Sequence, residues 1–135
     1  MSKKEEQAEA YLQEAVLTLE SAETLFEAAS ENTNIWAQVV KNAYDAIEQM
    51  ISSAIADKGE SIPRAHPAKI KKFIELYNPE ESIQNSLFKW LRRRSETQYV
   101  DFKGDEINVP HKQFSQNDAE EILNDAKRIL KYIKD

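Results

Sequence analysis

The sequence predicts an all-α fold, an up-and-down helical bundle of about five helices in one domain, residues 1–135. Three observations carry this. Only 2 glycines and 4 prolines interrupt 135 residues, and the rest is rich in Ala, Glu, Lys, Leu and Ile, which favour helix. Apolar residues recur at three- and four-residue spacing through long segments. The length suits one hydrophobic core that buries about two-thirds of the surface an unfolded chain exposes, with no second core expected.

The first segment places Ala8, Tyr11, Leu12, Ala15, Val16, Leu19, Ala22, Phe26 and Ala29 on one face, with glutamates between them. That pattern is an amphipathic helix on the outside of a bundle. The polar stretch Ser30 to Asn34 supplies turn and capping side chains before a second helix begins near Ile35. Apolar residues cover well over half of that second helix, from Ile35 and Trp36 to Ala54 and Ile55. It is therefore expected at the centre. Its few polar residues, Asp45, Glu48 and Gln49, stand out for that reason, and Gly59 is placed to end it in a left-handed conformation.

A short helix from about His66 to Tyr77 buries Ile70, Phe73, Ile74 and Tyr77 and leaves Lys69, Lys71 and Lys72 in solvent. Asn78-Pro79-Glu80-Glu81 is expected to start the fourth helix, with Asn78 as cap and Pro79 in the first helical position. That helix should run to Glu96 or Tyr99. Residues 100–114 have no helical period and fit an extended flap or a small hairpin around Lys103-Gly104-Asp105. Ser115-Gln116-Asn117-Asp118 resembles a capping box with Asp in place of Glu, and a clean apolar face from Ala119 to Ile133 follows it.

Several function classes are excluded. Cysteine is absent, which removes disulfides and thiolate metal sites. The two histidines, His66 and His111, lie 45 positions apart and neither has a second ligand on a common helix face, so no metal and no cofactor are expected. Two isolated glycines cannot build a phosphate loop. No apolar run approaches the ~20 residues that cross a bilayer, and the first residues lack a signal core, so a cytoplasmic protein without membrane contact is expected. The net charge of -6 confines any nucleic-acid contact to a local patch.

Arg94 supplies such a patch. The inward stripe Ile83, Leu87, Trp90, Leu91 continues at helical spacing onto Arg94 and Gln98. A guanidinium is seldom buried without a partner, so either this end of the helix opens into a polar cleft, a groove or a subunit seam, or the helix reaches the surface there and Arg94 snorkels its charge into water. Lys89, Arg92 and Arg93 are accounted for by the helix macrodipole alone, although Arg93 adds charge to the patch. Tyr99 is the nearby group able to donate a hydrogen bond or stack on a base. His66, before Pro67, reads as a cap or loop residue. His111 also reads as a loop residue, unless the flap folds back over Arg94 and makes it a proton carrier.

The segment Ala43-Tyr44-Asp45-Ala46-Ile47-Glu48-Gln49-Met50-Ile51-Ser52-Ser53-Ala54, the stop at Gly59, the short basic helix and the closing Arg-x4-Tyr together resemble the HEPN domains of prokaryotes. The resemblance implies an up-and-down bundle that forms a homodimer, with the motif helices of two subunits meeting across a cleft. It also implies a toxin–antitoxin-like context with a nucleotidyltransferase-type protein partner, and RNA or a nucleotide as ligand. In active members an Arg, a polar residue and a following His form a metal-independent ribonuclease. Arg94 matches the Arg, Ser95 matches the polar residue, and Tyr99 stands at the position of the His. Tyrosine, with a reference pKa near 10, is a poor base at neutral pH.

The expected function is thus a dimeric module that binds a nucleotide or RNA phosphate. Its ligand-binding candidates are Arg94, Ser95, Gln98, Tyr99, Arg93, Glu48, Asp45 and His111, and its catalytic candidates are Arg94 and Tyr99. The alternatives are an active ribonuclease toxin and a structural adaptor.

Overall fold

The computed structural model describes residues 2–135. Among them are six α-helices: α1 Lys3–Ala29, α2 Trp36–Asp57, α3 His66–Tyr77, α4 Glu81–Arg93, α5 Pro110–Gln113 and α6 Gln116–Lys134. A two-stranded hairpin, β1 Asp101–Lys103 and β2 Glu106–Asn108, precedes α5. The fold is the all-α bundle the sequence predicts, with the single turn of α5 added to the five helices expected.

α1 and α2 run antiparallel. Phe26 late in α1 packs on Trp36 early in α2, with ring centres 5.4 Å apart, and Ser53 late in α2 donates to the carbonyl of Ala8 early in α1 at 2.7 Å. Alanines line this seam, Ala8, Ala15, Ala22 and Ala29 on one side and Ala43, Ala46 and Ala54 on the other, all buried. α2 is central, in contact with α1, α3, α5 and α6. Its buried Ile47, Met50, Ile51 and Ile55 meet Phe73 of α3, Ile83 and Leu87 of α4, and Ile122 and Ile129 of α6 in one continuous core.

The outer seam between α4 and α6 is polar and regular. Arg93 pairs with Asp118, Lys89 with Glu121, and the Trp90 indole N–H donates to Asp125 at 2.9 Å. Arg128 reaches Ser82 and Ser86, at 2.8 Å each. Residue numbers rise along α4 as they fall along α6, so the two helices are antiparallel and each turn of one meets a turn of the other. Ser115 and Asp118 make both halves of the capping box that starts α6.

Two local expectations are corrected, and a third is borne out. Asn78 does not start α4: it takes φ 44°, ψ 57° and bonds its N–H to the Ile74 carbonyl, so it ends α3. Proline disfavours right-handed helix in the residue before it, and Asn tolerates the left-handed region, so Asn78-Pro79 works as a stop. Glu80 then takes the N-cap position of α4. The α-helix also stops short, at Arg93, and tightens into a 3₁₀ turn over Arg94–Thr97, in which the buried Thr97 hydroxyl bonds the Arg94 carbonyl at 2.7 Å. Of the two forms expected for residues 100–114, the small hairpin around Lys103-Gly104-Asp105 is the one present. The hairpin turns at Gly104, whose φ of 64° is easy only for glycine, and α5 then carries the chain to the buried Phe114.

Candidate functional site

The site is built on the few polar residues of α2. Burial of the neighbouring apolar positions leaves Tyr44 and Glu48, one helical turn apart, facing the start of α3 and the 3₁₀ turn after α4. Tyr44 is buried, and its hydroxyl donates to Glu48 Oε2 at 2.9 Å. The same carboxylate oxygen is hydrogen-bonded to His66 Nδ1, and Oε1 lies 3.5 Å from Lys69 Nζ. Glu48 and Lys69 are only 13% and 14% exposed, so this is a largely desolvated ion pair. The Tyr44 and His66 rings meet edge to face at 6.5 Å.

Arg94 closes the other side of Tyr44. Its guanidinium carbon lies 5.9 Å from the centre of the Tyr44 ring, within the range of a cation–π contact. Its Nε is buried and has no hydrogen-bond partner. Among the described residues no carboxylate lies within ion-pair distance of it. Within the chain this guanidinium thus has an aromatic face for company and a donor left unspent.

The electrostatics follow from this packing. Burial pushes the Tyr44 hydroxyl far above its ordinary pKa; the Glu48 charge and hydrogen bond push it the same way, and the opposing pull of Arg94 is smaller. Tyr44 is therefore a permanent donor and never a base near neutral pH. Burial also raises the Asp45 carboxyl, with Lys41, Arg94 and His66 pulling against it and Glu48 adding to it. Glu48 fixes His66 through Nδ1, which leaves Nε2 as the nitrogen open to a ligand.

The structure gathers Arg94, Asp45 and Glu48 of the sequence candidates into one neighbourhood. Ser95 is exposed within the 3₁₀ turn, and Gln98 and Tyr99 are exposed just after it, Tyr99 to 53%. His111 is exposed on α5, which packs beside the Arg94 turn. Arg93 is committed elsewhere: it bonds Asp118 at 2.9 Å and the Gln113 carbonyl at 2.8 Å, and stacks over Phe114 at 4.4 Å. His66, read from the sequence as a cap or loop residue, is instead the first residue of α3 and joins Tyr44 and Lys69 around Glu48. The one local signal of this was Glu48 itself, a carboxylate among the few polar residues of the central helix. Among the described residues no group of His, Asp and Glu could hold a metal ion.

The sequence profile of the HEPN domain matches residues 8–135. The chain belongs to the HEPN family. No curated protein matches it in sequence. In structure it is similar to the crystal structure of ST0689, an archaeal HEPN homologue, with a TM-score of 0.71 at 20% identity over 99% of this chain and 97% of that one. At that identity the likeness speaks for the HEPN fold, and the six-helix arrangement around α2 is that fold here. No helix of the described residues is long and apolar enough to cross a membrane.

Proposed function

We propose that this HEPN chain is a homodimeric module that binds the phosphate of a nucleotide or of RNA through Arg94, acting with a nucleotidyltransferase-type partner in a toxin–antitoxin-like setting. The observation that carries the binding is the unpartnered, buried Nε of Arg94 beside the Tyr44 ring. A structural arginine would spend its donors, as Arg93 does on Asp118 and Gln113. The net charge of -6 keeps unspecific polyanions away, so a single anion must find one local cation.

Calorimetric titration with inorganic pyrophosphate, AMP and a short RNA tests this. Binding should weaken at least tenfold in Arg94→Ala and fall with added salt, as charge pairing with phosphate requires. Equal binding by wild type and Arg94→Ala would overturn it. Light scattering on the eluting protein checks the dimer.

A second reading, metal-independent RNA cleavage, gains support from His66. The position of the family histidine is held by Tyr99, but a histidine held through Nδ1 by a carboxylate is the arrangement of a proton acceptor, and it flanks the same Tyr44 ring as Arg94. Cleavage of labelled RNA in the presence of chelator, lost in both His66→Ala and Arg94→Ala, favours it. Binding without cleavage rejects it.

A further inference from the structure

The stripe of α1 that packs on α2 is spent on the buried Ala8, Ala15 and Ala22. A second stripe of the same helix is apolar and uncovered. A groove of about 510 Å³ runs along it, walled by Glu9, Leu12, Gln13, Val16 and Leu17, with Lys134 of α6 at one edge. Of the large apolar side chains exposed among the described residues, Leu17 alone stands on a helix, at 56%; the others lie between Tyr99 and Ile107. The charge on this helix is equally one-sided. α1 carries two lysines and seven glutamates, a net charge of -5 against -6 for the whole chain, and no basic residue follows Lys4. Glu5 and Glu9, Glu20 and Glu23, and Glu23 and Glu27 are spaced three or four apart, where like charges destabilise a helix. Glu27 also stands in the last turn, against the macrodipole. Among the described residues Glu9, Glu14, Glu20, Glu23 and Glu27 belong to no ion pair. Nothing inside the chain compensates this charge.

We infer that this groove is the docking site of a basic amphipathic helix from another protein; the inference is independent of the anion-binding role proposed for Arg94. A helix laid in a groove presents apolar anchors at three- and four-residue spacing, and Leu12, Val16 and Leu17 form an apolar floor at matching spacing. Glu9 and Glu20 close the two ends of the stripe, about 16 Å apart along the axis, and Glu14 flanks Leu17 one turn back; all three are exposed. Lysines or arginines beside the apolar face of the incoming helix reach these carboxylates. Lys134 occupies the α6 edge, so the partner's cations belong on the opposite edge, over Glu14. Charge decides between occupants. A second copy seated by the same face about a two-fold axis brings together two helices of charge -5 and is repelled. A nucleic acid or an anionic membrane surface is repelled in the same way. A basic helix instead relieves the repulsion among the glutamates as it covers Leu17.

The test is calorimetric titration of the full chain with three synthetic peptides of about 14 residues, four helical turns. One has leucines at three-and-four spacing with lysines on its polar face, one has glutamates in place of the lysines, and one scrambles the lysine peptide so that no apolar face forms. The lysine helix should bind about tenfold or more tighter than the scrambled peptide, and the glutamate helix should not bind. Leu17→Ser should weaken the lysine helix about tenfold at any salt concentration. Glu14→Gln with Glu20→Gln should weaken it at low salt and have little effect at high salt, where exposed charges are screened. Both variants alter exposed positions, and circular dichroism checks that they fold; the glutamine variant should unfold no earlier than wild type, since one like-charge pair is relieved. Equal binding of the lysine helix and the scrambled peptide, or equal affinity in wild type and Leu17→Ser, overturns the inference and leaves only diffuse attraction to an acidic surface. Failure of the lysine helix to bind overturns it outright. A mass in solution that halves in Leu17→Ser overturns it in favour of a second copy seated on the groove.

Discussion

Arg94 and Tyr44 face each other across the end of α4, 5.9 Å from guanidinium carbon to ring centre. Each has a different second obligation: the Tyr44 hydroxyl is bound to Glu48, and the Arg94 Nε is bound to nothing. The ring therefore connects a satisfied, desolvated network on one side to an unsatisfied cation on the other. Changes to Tyr44 should separate the two.

Tyr44→Phe keeps the ring and loses the hydroxyl, so it should cost about 1 kcal/mol of stability and leave pyrophosphate binding intact. Tyr44→Leu should weaken that binding as well. The pH dependence has a definite sign. Because the folded hydroxyl is held above its ordinary pKa of 10.0, its contribution is full below that pH and declines above it, where the unfolded chain releases the proton and the folded one retains it. Urea unfolding should therefore show an alkaline loss of stability in wild type that is reduced in Tyr44→Phe. An equal alkaline slope in the two proteins would contradict this.

Glu48→Gln should destabilise the chain by roughly 1 to 3 kcal/mol, because it strips a largely desolvated Lys69 of its counter-charge. The double variant with Lys69→Met should recover part of that loss, since no unpaired ammonium remains. Thermal unfolding of the four proteins of the cycle measures the coupling. If Lys69→Met recovers nothing, Glu48 acts mainly through Tyr44 and His66.

How much of this could be read from the sequence depends on the range of each interaction. The helices and the capping box at Ser115 and Asp118 were legible because their causes are local: apolar periodicity, or one side chain bonding a backbone group three residues on. The start of α3 at His66 and the stop at Gly59 were legible for the same reason. Arg94 was legible as an inward charge, since it fell on the stripe of Ile83, Leu87 and Trp90. The contact of His66 with Glu48 was not, because it joins residues 18 positions apart across a loop with no period of its own. Asn78 misled for a subtler reason. The same Asn-Pro pair suits both a helix start and a left-handed stop, and what decides is the bond from the Asn78 N–H back to the Ile74 carbonyl, which closes α3.

Asp118 should make the chain sensitive to acid. Burial alone would raise its pKa, but the Ser115 N–H and hydroxyl together with the charge and hydrogen bonds of Arg93 more than offset this and hold the carboxyl below its usual value. The stability it confers is present above the unfolded pKa of about 3.9 and is lost as the pH falls through the lower folded value. Asp118→Asn should lack this part of the acid transition. Ser115→Ala should cost about 1 kcal/mol at every pH above it, as loss of an N-cap does. Unfolding curves recorded from pH 2 to pH 7 check both.

The hairpin should be dispensable for the stability of the bundle. Phe102 and Ile107 stand opposite each other across its two strands, 80% and 59% exposed, and so bury little against the rest of the chain. A two-stranded sheet without a covering layer is marginal on its own. Phe102→Thr with Ile107→Thr, substitutions that keep strand propensity, should therefore leave the unfolding midpoint within about 0.5 kcal/mol of wild type in stability terms and improve solubility. The measurement is paired: unfolding by circular dichroism and mass in solution by light scattering. A midpoint that drops together with a halved mass would show that the two side chains are covered by a second copy in solution. Then their exposure in the single chain would be the open half of an interface.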